Sequence, residues 1–478
     1  MTAVGGEAVK YSDVYKVVYP RKHEGIYKNR GDNAWVSVRI RQGPGRDPSK
    51  WYSSQLRTVT HVADRYGDGR IMLGTRGDVE VVAVDYRMFD EVVAQLRMAG
   101  LEPRDSCGSS VRNPIPCPSN HCPLALANAE ALSTFIGDYF RGRAEYEGVN
   151  MPHRLKISVS GCGEACAVPA SQDVGIIARG DGGFDVYLGG GVGEHAFTAK
   201  PAFTGVAADD LLPICIGVAQ VLKREGERKG FKWVVKNRGL DAVRSEVIKA
   251  AEEVKRQGVP SPPPSGPVFL GNLMVRLHYP AGWVSSSELE SVARLAEERG
   301  VGYVVLFNDQ TIYVPLAGST MEMKGERLGP YRGGKAATVA CLGKELCPPG
   351  LIDTTSLGRR IHVHLRRPVK VGVSGCTHDC AMSRTSDIGL EPFGFNARII
   401  VTIGGGARRV GEAVGVVELS DAEAVVDALL DMMDEADADD AGELMERVGV
   451  ESIKARLSAR IKSFKPWDNG LQSTLGPD

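Results

Sequence analysis

The chain contains the same cysteine-bearing sequence twice, and this repeat limits the possible fold more than any other feature. RLKISVSGCGEAC at 154–166 has a counterpart in PVKVGVSGCTHDC at 368–380, with both cysteines at matching positions. Each copy continues into an apolar segment, DVGII or DIGL, and then into a strand that ends in three glycines, at 189–191 and 404–406. The sequence therefore predicts two homologous halves around a pseudo-twofold axis.

The repeat extends in a coarser form to the beginning of each half. Alternating strands at 35–43 and 273–280 each precede a helix, at 51–66 and 287–299, and then two further strands. A proline-rich stretch at 259–267, VPSPPPSGP, lies between the halves and is typical of a connector. Each half thus begins with a small strand–helix unit and continues into a cysteine-bearing core.

The composition is that of a soluble globular protein and argues against several partner classes. The 478 residues are 43% hydrophobic and 24% charged, and 58 basic against 59 acidic residues give a net charge of −1. Such a balance gives no support for binding nucleic acid or an anionic membrane. No apolar stretch is long enough to span a membrane, and the first residues lack a secretory layout, so we expect a cytoplasmic protein.

Eight of the ten cysteines fall into four short pairs, which are Cys117/Cys122, Cys162/Cys166, Cys341/Cys347 and Cys376/Cys380. Ten cysteines are too few for a disulfide scaffold in a chain of this length, and a cytoplasm would keep them reduced. Cys107 and Cys215 stand outside the pairs. Cys215 lies in an apolar run and is predicted to be a buried small hydrophobe.

A C-x5-C pair followed by a C-x3-C pair supplies four thiolates, which suit either zinc or an iron–sulfur cluster. The five-residue gap is wide for structural zinc, and the neighbouring glycines and prolines let the backbone bend around an inorganic core. The spacing favours a [4Fe–4S] cluster held by Cys341, Cys347, Cys376 and Cys380. The first-half set, Cys117, Cys122, Cys162 and Cys166, either holds a second cluster or consists of ordinary packed thiols.

These motifs resemble the siroheme-dependent sulfite and nitrite reductase family. CLGKELCPPGLID at 341–353 and VKVGVSGCTHDCAMSRTSDIGL at 369–390 resemble its paired cluster motif. GRIMLGTRGDVEV at 69–81, SCGSSVRNPIPCP at 106–118 and MPHRLKISVSG at 151–161 resemble its basic segments. The resemblance covers nearly the whole chain, and it is more specific for the family than for the substrate.

The resemblance implies siroheme and a [4Fe–4S] cluster as cofactors and the six-electron reduction of a small oxyanion. It makes Cys380 a thiolate shared by the cluster and the siroheme iron. The positions that match the family's substrate-binding cations are Arg76, Arg112, Arg154 and Lys156. Arginine forks and a lysine suit the binding of an anion and the delivery of protons.

Further residues are predicted to contact the siroheme. They are Asn113 in the arginine–asparagine segment, the turn formed by Gly189, Gly190 and Gly191, and the pair Arg408 and Arg409 beside the second glycine turn. For the glycines, a plain tight turn is the alternative. His378, inside the second C-x3-C pair, is either a solvent-facing spacer or a local proton carrier.

The two halves differ in the charges that they supply. Arg76 falls opposite Asp309, whereas Lys156 keeps a basic counterpart in Lys370. A working site would therefore combine cations of the first half with the cluster of the second, and we expect one active site per chain.

The predicted fold class is α/β (α+β), with two fused homologous halves related by a pseudo-twofold axis. Each half has a ferredoxin-like strand–helix unit and a siroheme and iron–sulfur core. The predicted divisions are a first unit at 1–105, a first core at 106–258, a linker with the second unit at 259–330, and a second core at 331–478.

Sulfite is the expected substrate, because the predicted site is rich in arginine and lysine. Nitrite is the alternative, since the same cations suit both anions. The sequence contains no evident flavin or nicotinamide domain, so we expect an external electron donor such as ferredoxin or a flavoprotein. A precorrin-3B synthase-like oxygenase, and a non-catalytic iron–sulfur or zinc-stabilised protein, are the remaining alternatives.

Overall fold

The computed structural model describes residues 21–31, 34–106, 108–193, 195–271, 273–316, 326–327, 336–394 and 398–468, together with Asp13, Lys16 and Val18. Cys107 therefore lies outside the described residues. The strands of the first half are β1 Ile26–Lys28, β2 Trp35–Gln42, β3 Lys50–Tyr52, β4 Arg70–Leu73, β5 Val79–Asp85, β6 Leu101–Glu102, β7 Ile115–Pro116, β8 Ile157–Ser160, β9 Val174–Ala178, β10 Phe184–Leu188 and β11 Lys200–Val206. Its helices are α1 Ser53–Tyr66, α2 Phe89–Met98, α3 Ala129–Phe140, α4 Ala208–Glu225, α5 Phe231–Arg238 and α6 Leu240–Gln257.

The second half follows the same order. Its strands are β12 Leu273–His278, β13 Trp283–Ser285, β14 Tyr303–Leu306, β15 Thr311–Pro315, β16 Glu326–Arg327, β17 Ala337–Ala340, β18 Lys370–Val373, β19 Ile388–Pro392, β20 Arg398–Ile403, β21 Glu412–Glu418 and β22 Lys465–Pro466. Its helices are α7 Ser286–Glu298, α8 Gly343–Leu346, α9 Thr354–His364, α10 Ala422–Ala436, α11 Ala441–Val448 and α12 Val450–Arg460. Residues 258–271, between the halves, form neither helix nor strand.

Each half builds a mixed core sheet around its cysteines. The first runs β11-β10-β9-β8-β7 and the second β17-β18-β19-β20-β21-β22. In both sheets the three strands nearest the cysteine loops are parallel, and the remaining pairs are antiparallel. The parallel strands β9 and β19 are buried along their whole length, which explains why their sequences are continuous apolar runs instead of alternating ones. The predicted α/β fold with two homologous halves is confirmed.

The two small units exchange a strand with each other. Strand β13, from the second half, pairs with β4 in the sheet β1-β2-β5-β4-β13, while β3, from the first half, pairs with β14 in the sheet β16-β12-β15-β14-β3. The helix that the sequence predicts from residue 51 therefore begins at Ser53, because Lys50–Tyr52 is extended and bonded to the other unit. Local periodicity could not show this long-range pairing.

Helices α1 and α7 follow the exchanged strands and pack against each other. Helix α7 begins at a capping box, in which the Ser285 side chain accepts from the backbone N–H of Glu288 and the Glu288 carboxylate accepts from the Ser285 backbone N–H at 2.8 Å. The residues between the two sheets form one apolar core that includes Trp51 of β3 and Val284 of β13. The two units are therefore a single interlocked structure.

Trp51 is the largest side chain in this shared core. It is fully buried, and its indole Nε1–H donates to the carbonyl oxygen of Gly77 at 2.9 Å. Because Gly77 follows Thr75 and Arg76 in the β4–β5 loop, Trp51 joins the exchanged strand to the loop that carries a predicted site cation.

We expect Trp51→Ala to lower the free energy of unfolding by about 3–5 kcal/mol, since it leaves a large cavity between the sheets and an unpaired carbonyl. Chemical denaturation followed by tryptophan-independent circular dichroism measures the change. Met98→Ala, on the same unit but 81% exposed, is the control and should cost less than about 0.5 kcal/mol. A Trp51→Ala cost as small as that of the control would contradict the interlocked arrangement.

Candidate active site

Four cysteine thiols of the second half gather at the ends of the core strands. Cys341 follows β17, Cys347 follows α8, and Cys376 and Cys380 lie in the loop after β18. The backbone N–H of Gly375 donates to Cys341 Sγ at 3.1 Å. Burial, and then the neighbouring Cys380, raises the pKa of Cys341 to about 12 and that of Cys376 to about 11. The thiols are therefore close enough to influence one another.

The spacing of these thiols suits a cluster better than a single ion. In the described part of the chain, no three cysteine, histidine or carboxylate side chains converge tightly enough to bind one metal ion. Structural zinc needs its sulfurs at about 2.3 Å from one centre, whereas each thiolate of a [4Fe–4S] cluster binds a different iron. Four neighbouring thiols with a backbone N–H that donates to one of the sulfurs fit the ligand set of such a cluster.

A loop of the first half reaches these thiols. The Thr75 hydroxyl, in the β4–β5 loop, donates to the carbonyl oxygen of Cys380 at 3.2 Å. This contact places residues 75–76 of the first half beside the last cysteine of the second half. The strand exchange holds the loop there, because β4 pairs with β13 on one side.

The Arg76 guanidinium forms most of its hydrogen bonds within the protein. Its guanidinium donates to the carbonyl oxygens of Asn113 and Ile157 and to Gln172 Oε1 in four hydrogen bonds of 2.8–3.1 Å, which engage four of its five N–H groups. The Asn113 side chain in turn donates to the Arg76 carbonyl at 2.8 Å. Burial, and then Arg112, lowers the pKa of Arg76 to about 9, so it is still a cation at pH 7. Arg76 and Asn113 therefore clamp the unit onto the first core.

Arg154 and Lys156 lie immediately before β8, near the second-half thiols. Arg154 interacts electrostatically with Cys376, and Lys156 with Cys380. Burial lowers the pKa of Lys156 to about 7, with smaller contributions from Arg154 and Arg76 in the same direction. No side-chain hydrogen bond of either residue is found within the described ranges, so both are available to a ligand.

Two charged residues that the sequence analysis did not select complete the site. Asp173 is buried, and its Oδ2 accepts from the backbone N–H of Lys156 at 2.8 Å. Lys232, on α5, donates to the carbonyl oxygen of Val192 at 2.9 Å. Its pKa is lowered to about 8 by burial, against the opposing effect of Asp173. The repeated aspartate of DVGII and DIGL was a usable signal for Asp173, whereas no motif marks Lys232.

The glycine turns pack closely against the core. A Cβ on Gly190 would lie 2.4 Å from the Ala170 carbonyl oxygen, and one on Gly189 2.8 Å from Val235. A Cβ on Gly191 would lie 2.7 Å from the Lys232 side chain. All three glycines thus lie in close internal contacts, and their predicted contact with siroheme stays a prediction.

The side chains of the predicted siroheme partners Arg408 and Arg409 donate hydrogen bonds to backbone oxygens. Arg408 donates to the carbonyl of Gly163 and Arg409 to that of Gly404, the latter at 2.7 Å. Arg408 thus reaches the first-half cysteine loop. His378 is exposed, and its Nδ1 lies 3.5 Å from Cys376 Sγ.

We expect Arg76→Lys to lower the free energy of unfolding by about 1–3 kcal/mol, because a lysine keeps the charge but cannot satisfy the same buried acceptors. Denaturant titration of the purified protein checks this value. Arg154→Lys is the matched control and should change stability by less than about 0.5 kcal/mol, since the Arg154 guanidinium has no hydrogen bond to the described residues. Equal effects of the two substitutions would contradict the clamp.

The chain is similar to several ferredoxin-dependent nitrite reductases. The chloroplastic ferredoxin–nitrite reductases of Zea mays and Betula pendula are 25% and 27% identical over 70% of this chain. The assimilatory ferredoxin-dependent nitrite reductase of Haloferax mediterranei is 27% identical over 79% of this chain and 74% of its own length. This chain spans just under two thirds of the maize and birch proteins, at 66% and 65%.

The similarity to nitrite reductases corrects the prediction of the substrate. The prediction of sulfite over nitrite is wrong, because the relatives that match over most of the chain are nitrite reductases. The reason is physical: a set of arginines and lysines binds either oxyanion, so the cations alone could not discriminate between the two.

None of the helices in the described ranges combines the length and apolar character of a membrane-spanning helix.

The fold matches a solved structure, and the sequence matches a family profile. The structure of the Mycobacterium tuberculosis NirA protein matches 91% of each chain, with a TM-score of 0.70 and 16% sequence identity. The profile described as "Nitrite and sulphite reductase 4Fe-4S domain" matches residues 107–255 and 333–464, which together make up more than half of the chain. The predicted family is confirmed, and with it the family's cofactors, siroheme and a [4Fe–4S] cluster. The chain belongs to the nitrite and sulphite reductase 4Fe-4S domain family.

Proposed function

We propose that the protein reduces nitrite to ammonia with electrons from an external ferredoxin. The observation that carries the proposal is a group of buried or half-buried cations of the first half, of which Arg154 interacts electrostatically with Cys376 and Lys156 with Cys380. The members of this group are Arg76, Arg112, Arg154, Lys156 and Lys232. The similarity to ferredoxin-dependent nitrite reductases supports nitrite and ferredoxin.

The excess positive charge favours an anionic ligand. Arg154 and Arg76 each lower the pKa of Lys156, so the cations repel one another across the site. Asp173 and Cys380 are the groups that oppose this effect on Lys156. An anion bound among these cations would relieve the repulsion, because a small negative ion in a site of low polarity interacts strongly with fixed positive charges.

Cys341, Cys347, Cys376 and Cys380 are the proposed cluster ligands, and Cys380, the exposed thiol beside Thr75, is the proposed link to the siroheme. When bound, the siroheme and the cluster would transfer to nitrite the six electrons that the external donor supplies. The chain itself supplies the anion site and the protons.

We also propose a cytoplasmic location and a division of the chain into two units, at 1–105 and 259–330, and two cores, at 106–258 and 331–478.

Arg154 and Lys156 are the proposed ligands of nitrite. The Arg154 guanidinium offers a planar set of donors that matches the two oxygens of nitrite, and neither side chain is engaged by the described protein. Arg76 and Asn113 are proposed to position the Thr75 loop, and Arg112 to add positive charge beside Arg76. The binding of substrate thus rests on residues that precede β8.

Lys156 is the proposed proton donor. Its pKa of about 7 lets it lose and regain a proton near neutral pH, which is the condition for efficient general acid catalysis. The removal of both nitrite oxygens as water requires protons at the site. Asp173 accepts a hydrogen bond from the Lys156 backbone N–H and thereby holds the backbone from which this side chain extends.

The direct test is the steady-state reduction of nitrite and of sulfite by the holoprotein, with reduced methyl viologen as the electron donor. We expect ammonia as the product and a kcat/KM for nitrite at least roughly tenfold above that for sulfite, which corresponds to about 1.4 kcal/mol of discrimination in the transition state. Reduced ferredoxin should replace the dye. A preference for sulfite, or no ammonia from nitrite, would refute the proposal.

The activity should depend on the protonation of Lys156. A lysine is cationic below its pKa, so raising the pH through about 7 removes a positive charge and a proton from the site, and kcat/KM for nitrite should fall. Lys156→Met should lower kcat/KM by roughly a hundredfold or more and abolish this dependence between about pH 6 and pH 8. Initial rates over that range measure both effects.

Lys370→Met is the matched control for this experiment. Lys370 begins β18 as Lys156 precedes β8, its backbone N–H also donates to an aspartate, Asp387, and burial lowers its pKa to about 8. Lys370 interacts electrostatically with Asp309, whereas Lys156 interacts with Arg76. Lys370→Met should keep the dependence of kcat/KM on pH, and a Lys156→Met protein that also kept it would exclude Lys156 as the titrating group.

A further inference from the structure

We propose that the first-half cysteines Cys117, Cys122, Cys162 and Cys166 bind a second [4Fe–4S] cluster, in addition to the one that serves the proposed nitrite site. These residues form the first-half tetrad. The inference goes beyond the proposed function, which uses only the cysteines of the second half.

All four thiols of the first-half tetrad take part in electrostatic interactions with one another. Cys117 interacts electrostatically with Cys166 and Cys162, and Cys122 with Cys162. Cys117 and Cys162 are buried, whereas Cys122 and Cys166 are partly exposed. An ordinary packed thiol in this protein looks different, since Cys215 is fully buried in an apolar helix and burial alone raises its pKa to about 12.

Both tetrads have the same backbone contact to sulfur. The N–H of Gly161 donates to Cys117 Sγ at 3.1 Å, and the N–H of Gly375 donates to Cys341 Sγ at the same distance. A Cβ on Gly161 would lie 2.8 Å from the carbonyl oxygen of Ala127, so only glycine allows this approach. Hydrogen bonds from the backbone to a ligating sulfur are a recurrent means by which proteins support a cluster.

The two C-x3-C loops also share an unfavourable backbone conformation. Ala165 and Val168 have φ of 58° and 53°, and the matching residues Asp379 and Met382 have φ of 49° and 54°. A β-branched residue such as Val168 rarely adopts a positive φ, and such a conformation persists only where the surrounding structure requires it. The first loop therefore retains the full shape of the cluster-binding loop.

Each loop is held by the opposite half. Asn308 of the second half donates from Nδ2 to the carbonyl oxygen of Cys166 at 2.9 Å, as Thr75 of the first half donates to that of Cys380. The pseudo-twofold axis therefore relates the support of the two tetrads as well as their cysteines. Arg408, also of the second half, lies beside Cys162 and donates to the Gly163 carbonyl, which places a positive charge next to a thiolate-rich site.

The surroundings of the first-half tetrad do not suit an anionic substrate. The position of Arg76 is taken by Asp309, which is buried, and burial raises the pKa of its carboxyl group. Glu164 adds negative charge near Cys162. We therefore infer that this cluster lies apart from nitrite chemistry and that the chain keeps one substrate site.

The test is the non-haem iron and acid-labile sulfide content of the anaerobically purified holoprotein. We expect about eight irons and about eight sulfides per chain, since each cluster contains four of each. About four irons per chain, with or without one zinc, would overturn the proposal. The count uses the unaltered protein and is therefore decisive even if a cysteine variant fails to fold.

Paired variants assign the irons. Cys117→Ser/Cys162→Ser should retain about four irons and the siroheme absorption, while Cys341→Ser/Cys376→Ser should lose the other four and alter that absorption. A Cys117→Ser/Cys162→Ser protein that kept all eight irons would contradict the proposal. Eight irons without nitrite reduction would refute the proposed function alone, and four irons with nitrite reduction would refute this inference alone.

Discussion

The site depends on contacts that cross between the two halves. Thr75 of the first half bonds to the carbonyl of Cys380 of the second, and the reciprocal exchange of β3 and β13 keeps the loop that carries Thr75 in place. Without these contacts the cations and the thiols would lie on separate structures. The duplication therefore has a mechanical consequence, because neither small unit can leave its partner without unpairing a strand and exposing the shared core.

The pseudo-twofold axis relates two places that are similar in backbone and different in charge. One combines Thr75 and Arg76 with the second-half cysteines, and the other combines Asn308 and Asp309 with the first-half cysteines. Replacing a buried arginine with a buried aspartate removes the positive charge that a small anion would meet. The same fold can thus support substrate binding at one place and a cluster alone at the other.

Part of this organisation is visible in the sequence, and part is not. The cysteine pairs, the glycine turns and the basic segments are local patterns, so the sequence predicts the halves, the cluster and four of the five members of the cation group. The exchange of β3 arises from pairing with a distant strand and leaves no local signal, and Lys232 lies on an otherwise ordinary helix far along the chain. The engagement of Arg76 by Asn113 and Gln172 depends on how the unit meets the core. The substrate was mispredicted because the cations that suit sulfite also suit nitrite.

The central claim is that first-half cations and second-half cysteines form a single anion site. A crystal structure of the holoprotein with bound nitrite tests this claim most directly. We expect the anion within hydrogen-bond distance of Arg154 and Lys156. Density for nitrite beside Asp309 and Cys166, or a siroheme that contacts no residue of the Arg154–Lys156 segment, would contradict it.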